Sequence, residues 1–145
     1  MSENITRTLR IVNEKGLHAR ASAKLVEVVE AHVERLDAPP AAVGRRVAVH
    51  TPCSMQHGLG LNNRVERLLA ALGYQVCRVE EAHLCCGSAG TYSMLQPALA
   101  GQLQHNKLRA LTVDKPDVIA TANIGCQLHL AQDASTPVVH WIELI

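Results

Sequence analysis

Two adjacent cysteines, Cys85 and Cys86, stand in the run His-Leu-Cys-Cys-Gly-Ser-Ala-Gly and are the residues of this chain best suited to do chemistry. Successive side chains point in different directions, so one apolar pocket seldom accommodates both thiols. Cys53 lies upstream of the pair, and Cys126 lies downstream. Thiolates are the ligands of soft metals and of iron–sulfur clusters. The four thiols, from three segments of the chain, therefore predict a metal or cluster site.

The remaining cysteine and the start of the chain indicate the redox environment. Cys77 falls inside a predicted strand, Gln75–Val79, and we interpret it as a core residue. The odd number of five cysteines argues against a disulfide framework. The first residues lack the basic end and apolar run of a secretory signal. We therefore expect reduced thiols in a cytoplasmic protein.

The overall composition is typical of a globular domain without a membrane span. The 145 residues are 48% apolar and 2% aromatic with no phenylalanine, so Ala, Val, Leu and Ile must form the core. No segment reaches the ~20 apolar residues that cross a bilayer. The net charge is +1, and acidic and basic residues are interleaved. Without a basic stripe or stacking aromatics, nucleic acid is not an expected partner.

The order of the predicted elements places the four thiols at one edge of a sheet. Strands and helices alternate in the predicted ranges Val47–His50, Asn62–Leu72, Gln75–Val79, Ser93–Leu111 (one or two helices), Asp117–Thr121, Ile124–Gln132 and Pro137–Ile142. This alternation predicts an α/β fold, a parallel sheet of about four strands with helices on both faces. Each of the three cysteine segments follows a strand, so the thiols share the carboxyl edge, where ligands usually bind.

A short β-α appendage precedes this pattern. A strand is predicted at Thr8–Asn13, and the helix that follows carries apolar residues spaced for one face, with acidic residues outward. The residues of the expected buried face are Ala21, Leu25, Val28, Val29 and His32. Paired prolines then end the helix. We therefore divide the chain into an appendage (residues 1–36), a linker (37–45) and an α/β domain (46–145).

Three motifs, Thr-Pro-Cys-Ser-Met-Gln-His-Gly, Leu-Cys-Cys-Gly-Ser-Ala-Gly and Ala-Asn-Ile-Gly-Cys, together resemble one known family. It is the Cys-Cys-Gly cysteine-rich domain at the C-terminal end of the glycolate oxidase iron–sulfur subunit, shared more distantly with heterodisulfide reductase. The resemblance covers residues 45–145. It implies thiolate ligation of an iron–sulfur cluster, 4Fe-4S in type, by Cys53, Cys85, Cys86 and Cys126. Gly87 and Gly90 would let backbone N–H groups approach the sulfurs.

The same resemblance implies a function in electron transfer. The family belongs to complexes that oxidise 2-hydroxy acids, so this chain would be a component of an oxidoreductase rather than a complete enzyme. The implied partners are FAD-containing oxidoreductase subunits. Through those subunits, a cytoplasmic protein would become peripheral to the inner membrane.

The chain departs from the family pattern in two ways. The last motif of the broader family is Cys-x-x-Cys. In this chain Cys126 begins that motif and His129 occupies the position of its second cysteine, which makes His129 a further candidate ligand. The ferredoxin-like cysteine runs of the complete subunit and a second cysteine-rich domain are also missing from these 145 residues. Zinc is the second candidate for the same thiolates. Buried cysteines without a metal are the third interpretation.

The N-terminal stretch around Gly-Leu-His-Ala-Arg resembles the first strand and helix of the phosphocarrier HPr. This resemblance implies that His18 accepts a phosphoryl group and that phosphotransferase proteins are partners. A helix N-terminus favours a phosphate, and Arg20 can add charge-assisted hydrogen bonds. A phosphocarrier acting through His18 is therefore the alternative function. An inactive fusion or truncated product is the other alternative.

Overall fold

A parallel sheet at the centre of the fold confirms the predicted α/β class. The computed structural model describes residues 18–145, and the strand predicted at Thr8–Asn13 lies outside them. Within the described range the sheet has four strands, all parallel, in the order β2-β1-β3-β4. Their bounds are β1 Arg46–His50, β2 Gln75–Val76, β3 Val118–Thr121 and β4 Val138–His140.

Helices cover both faces of this sheet, as predicted. Their bounds are α1 Ala19–Glu30, α2 Arg64–Ala71, α3 Tyr92–Leu95, α4 Pro97–Thr112 and α5 Ile124–Ala131. Side chains alternate across a strand, so Val47 and Val49 pack with α1 and α2 while Ala48 packs with α4 and α5. Among the helices of residues 18–145, none has both the length and the apolar character of a membrane span.

Two strands end earlier than predicted. Strand β2 ends at Val76, and beyond it the Cys77 N–H still donates to the Val47 carbonyl oxygen while the Arg78 N–H donates to a carboxylate oxygen of Asp114 at 2.9 Å. Strand β4 stops at His140, where the chain enters a 3₁₀ turn. The Glu143 carboxylate accepts the His140 N–H at 2.8 Å and caps that turn.

Helix α1 buries a different face from the predicted one. Val28 is 50% exposed and His32 is exposed, whereas Ser22 and Val26 are fully buried. The prediction of this face was right for Leu25 and Val29, which pack against the core, and wrong for Val28 and His32, because contacts with the C-terminal turn rotate the helix. The Trp141 indole N–H donates to the buried Ser22 hydroxyl at 2.7 Å, so this side of α1 faces the core.

Candidate metal centre

The carboxyl edge of the sheet brings the three cysteine segments together. Cys53 comes three residues after β1 and begins a π-helical turn, Ser54–Gly58, that the sequence did not predict. Cys85 and Cys86 lie in the loop between β2 and α3. Cys126 lies in the first turn of α5, whose N-cap Asn123 accepts the Gly125 N–H at 2.7 Å. Cys53 and Cys126 thus lie close to the ends of β1 and β3, whereas the long loop after β2 carries Cys85 and Cys86 to the same edge.

All four of these thiols line one open cavity of about 490 Å³. Cys86 and Cys126 are buried at its base, while Cys53 and Cys85 are partly exposed. Every cysteine of the chain is a free thiol. Cys77, the fifth, is buried in the core as predicted and is not among the residues lining this cavity. The structure therefore collects the four thiols that the sequence singled out and separates the one that it did not.

Hydrogen-bond donors surround the sulfur atoms. The Ser88 hydroxyl lies 3.1 Å from the Cys86 sulfur and donates to the Cys126 sulfur at 3.5 Å. The Gly87 N–H donates to the Cys85 sulfur at 3.3 Å. Such donors stabilise thiolates and orient metal-bound sulfur.

The two glycines of the cysteine loop have different roles. Gly87 has φ +91°, and a Cβ atom there would lie 2.7 Å from the Ala100 carbonyl oxygen of α4. Only glycine permits this close approach, by which the loop that carries Cys85 and Cys86 packs against α4. Gly90 has φ +50°, lines the cavity and has open space where a side chain would lie.

Burial and neighbouring thiols separate the acidities of the cysteines. The Cys126 thiol donates to the Cys86 sulfur, and this hydrogen bond holds the pKa of Cys86 well below its usual range. The same interaction raises the pKa of Cys126, and burial adds to that rise. Burial, reinforced by Cys85, also raises the pKa of Cys53. The metal-free site therefore holds a thiolate at Cys86, next to a protonated Cys126.

A histidine that the sequence analysis missed lies beside these thiols. His50 is the last residue of β1 and is 1% exposed. One of its ring nitrogens and the sulfurs of Cys86 and Cys126 all lie within 4.8 Å of one another. Burial lowers the pKa of His50, which favours the neutral imidazole. The sequence did contain a signal for His50 as a site residue, because it ends a central strand three residues before Cys53.

A buried lysine is the second residue that the sequence analysis missed. Lys107 of α4 is 1% exposed, and its ammonium group donates to the Ala82 carbonyl oxygen at 3.0 Å. Burial lowers the pKa of Lys107, and the electrostatic attraction of the cavity cysteines opposes that shift. Its place on the helix face that also buries Ala100, Gln104 and Leu111 was the available signal.

The structure does not bring His129 to the cavity. This residue is buried against α4, with a ring nitrogen 3.4 Å from the Ala100 carbonyl oxygen. His18 is also elsewhere, as the partly buried N-cap residue of α1, and Arg20 is exposed. Of the candidates predicted from the sequence, the four cysteines thus lie at the thiol cavity, whereas His129, His18 and Arg20 do not.

The residues at the cavity suit an iron–sulfur cluster or another thiophilic metal. Four thiols converge there, and one buried imidazole lacks a hydrogen-bond partner within the described residues. Sulfur with imidazole nitrogen is the donor set of soft and borderline metals. Hard oxygen-seeking cations are not expected to bind such a site.

Comparison with known families finds two matches at different parts of the chain. Residues 47–131 match the CCG cysteine-rich domain. Residues 5–39 match the phosphorylation site of the HPr component of the phosphotransferase system. The first match includes all four cavity cysteines, and the second includes His18 and Arg20.

Individual relatives resemble the first of these regions. The chain is 52% identical over 101 residues to the glycolate oxidase iron-sulfur subunit of Escherichia coli K12, an alignment that covers 70% of this chain and 25% of that protein. It is 29% identical over 114 residues to lactate utilization protein A of Geobacillus thermodenitrificans, covering 77% of this chain and 48% of that protein. The chain therefore spans a quarter to a half of the length of these relatives.

Proposed function

Because this chain belongs to the family of CCG cysteine-rich domains, we propose that it is an iron–sulfur electron-transfer component of a glycolate oxidase-type oxidoreductase. The observation that carries this proposal is the convergence of four free thiols on one cavity at the carboxyl edge of the sheet. Cysteine thiolates are the usual protein ligands of iron–sulfur clusters. The 52% identity to a glycolate oxidase iron-sulfur subunit supports the same assignment.

In this proposal Cys53, Cys85, Cys86 and Cys126 hold the cluster, for which four thiolates suggest the 4Fe-4S type. The bound group would supply one-electron transfer. The protein contributes the ligands, the donors around them and the exclusion of water at the base of the cavity. The Ser88 hydroxyl and Gly87 N–H donate to sulfur, and such hydrogen bonds raise the reduction potential of iron–sulfur centres.

The proposed partners are FAD-containing oxidoreductase subunits that take electrons from a 2-hydroxy acid. The two partly exposed thiols, Cys53 and Cys85, support an approach of the partner from the open side of the cavity. We place the protein in the cytoplasm, where thiol ligands stay reduced, and at the inner membrane only through those subunits.

Visible absorption of the reconstituted protein tests the proposed ligands. Wild-type protein, loaded anaerobically with iron and sulfide, should show the brown charge-transfer absorption of an iron–sulfur cluster. Cys126→Ser should lose most of this absorption because a buried ligand is removed. Cys77→Ser is the matched control and should keep it, since Cys77 lies in the core. Equal colour in all three proteins would contradict the assignment, and a colourless wild type that binds zinc instead would favour the zinc alternative.

The second candidate function is phosphoryl transfer through His18. Two observations favour it, the HPr match over residues 5–39 and the position of His18 at the N-cap of the 12-residue helix α1. Free N–H groups at a helix N-terminus stabilise a bound phosphate. Incubation with phosphotransferase enzyme and labelled phosphoenolpyruvate should label wild type and His32→Ala but not His18→Ala. Absence of acid-labile phosphate from wild type would end this alternative.

A further inference from the structure

The imidazole of His50 is buried beside the sulfurs of Cys86 and Cys126. Neither ring nitrogen has a hydrogen-bond partner within residues 18–145, although the side chain is 1% exposed. A buried polar group without a hydrogen-bond partner destabilises the folded state. Buried polar groups in native proteins are nearly always satisfied, so an orphaned pair of ring nitrogens points to a bound group.

A second orphaned polar group lies at the same level of the sheet. Thr121 of β3 is the register partner of His50, it is fully buried, and its hydroxyl also lacks a hydrogen-bond partner within the described chain. Both residues end their strands at the edge that bears the cavity. Two neighbouring strands thus present unsatisfied polar atoms where the thiols converge.

The distances connect this imidazole to the thiols rather than to other metal-binding groups. One His50 ring nitrogen and the sulfurs of Cys86 and Cys126 lie within 4.8 Å of one another, which is close enough for a shared metal ion. His129, the histidine that the sequence pattern offered, contacts α4 instead. The nitrogen donor beside the thiols is therefore His50, at the end of β1, and not His129 of the Cys-x-x-His sequence.

We propose that His50 is a nitrogen ligand of the metal centre, next to Cys86 and Cys126. The neutral imidazole donates the lone pair of one ring nitrogen to the metal and keeps its proton on the other. Mixed cysteine and histidine ligation occurs in both iron–sulfur and zinc sites. This inference deepens the proposed function and rests on it for the identity of the metal.

Pulsed electron paramagnetic resonance of the reduced, cluster-loaded protein tests the assignment. A strong nitrogen coupling is expected, and it should change when histidine is labelled with ¹⁵N. The coupling should persist in His129→Gln and disappear in His50→Gln. No directly coupled nitrogen in wild type, or the same coupling in His50→Gln, would overturn the inference. The isotope measurement on wild type and His129→Gln gives an answer even if His50→Gln does not fold.

Cobalt binding to the metal-free protein separates this inference from the proposed function. Co²⁺ should bind with thiolate charge-transfer bands, and His50→Gln should lower its affinity by at least about tenfold. His129→Gln should leave the affinity unchanged. Equal Co²⁺ affinity and spectra for wild type and His50→Gln would overturn the role of His50. If the cobalt result holds but no iron–sulfur cluster forms, the proposed function fails while the nitrogen ligand stands.

Discussion

Among single residues, Cys86 is the acidic thiol of the candidate metal centre. Its sulfur is buried and lies next to the Cys126 thiol, the Ser88 hydroxyl and the His50 ring. These neighbours favour the thiolate over the thiol even though burial opposes the charge. The centre therefore offers a metal one ligand that has already lost its proton.

The acidity of Cys86 predicts a thiolate in the metal-free protein at neutral pH. The pKa of this thiol is lowered from the ordinary value of 9.0, so the thiolate persists as the pH falls below 9. The unfolded chain takes up a proton in that range, so this residue makes folding more favourable as the pH rises toward 9. Ultraviolet thiolate absorption at pH 7 should exceed that of urea-unfolded protein. Cys86→Ser should remove the excess, whereas an excess that Cys77→Ser abolishes would contradict the account.

Lys107 is expected to tune the potential of the proposed cluster. Reduction adds negative charge to the centre, and the ammonium group of Lys107 stabilises that charge from a buried position. Lys107→Met should lower the midpoint potential, by an amount equivalent to about 1–2 kcal/mol. A dye-mediated redox titration measures this, with the exposed Lys24→Met as control. An unchanged or raised potential in Lys107→Met would show that the lysine does not act on the centre.

The four thiols could be predicted from the sequence, but His50 and Lys107 could not. Adjacent cysteines and cysteines that follow strands are local signals with a chemical meaning. The sequence pattern placed His50 in a buried strand and Lys107 within a helix. It does not show which side chains of other elements pack against these two residues. Their proximity to sulfur depends on the packing of β1 and α4, which only the folded chain reveals.

At the scale of elements, the cysteine loop depends on its contact with α4. A side chain at Gly87 would meet the Ala100 carbonyl oxygen, whereas one at Gly90 would meet nothing, and both residues have positive φ. Gly90→Ala should therefore destabilise the fold by about 1–2 kcal/mol through the backbone alone. Gly87→Ala should add roughly 1–3 kcal/mol from overpacking.

Urea unfolding of the two alanine variants measures this difference. Gly87→Ala should also lose cluster absorption, because the displaced loop carries Cys85 and Cys86. Equal stability of the two variants would show that the loop does not need the close approach to α4.

Helix α1 is joined to the C-terminal residues through the buried hydroxyl of Ser22, which accepts from the Trp141 indole and also lies 3.4 Å from His140 Nε2. Ser22→Ala removes the acceptor of the Trp141 indole N–H and leaves a buried donor unpaired. The expected loss of stability is about 1–3 kcal/mol. Ser135→Ala, at an exposed position, is the matched control and should change the stability little. Thermal unfolding, followed by Trp141 fluorescence, measures this loss. If both variants have the melting temperature of the wild type, Ser22 does not stabilise the fold in this way.

The order of the elements could be predicted from the sequence, but the buried face of α1 and two strand ends could not. The type and order of the strands and helices from residue 46 onward followed from the apolar pattern. The buried face of α1 did not, because Trp141 lies more than a hundred residues away in the sequence. The carboxyl ends of β2 and β4 were also misplaced, since β2 is only two residues long and a turn capped by Glu143 follows β4.

At the scale of the whole molecule, the parallel sheet is what turns scattered cysteines into one site. Parallel strands share a carboxyl edge, so loops that are far apart in sequence meet there. The family match covers β1, β2 and β3 of that sheet and the four thiols. Helix α1, within the HPr-like region, packs Ala23 and Val26 into the same core as Val47 and Trp141. The HPr-like and cysteine-rich sequences therefore share buried surface in the folded chain.

Iron and acid-labile sulfide analysis of the anaerobically purified protein shows whether the four thiols hold an iron–sulfur cluster. We expect iron and sulfide in nearly equal amounts, about four of each per chain for a 4Fe-4S cluster, with visible absorption that dithionite bleaches reversibly. A colourless protein without iron or sulfide, after reconstitution with both and with the fold intact by circular dichroism, would contradict it.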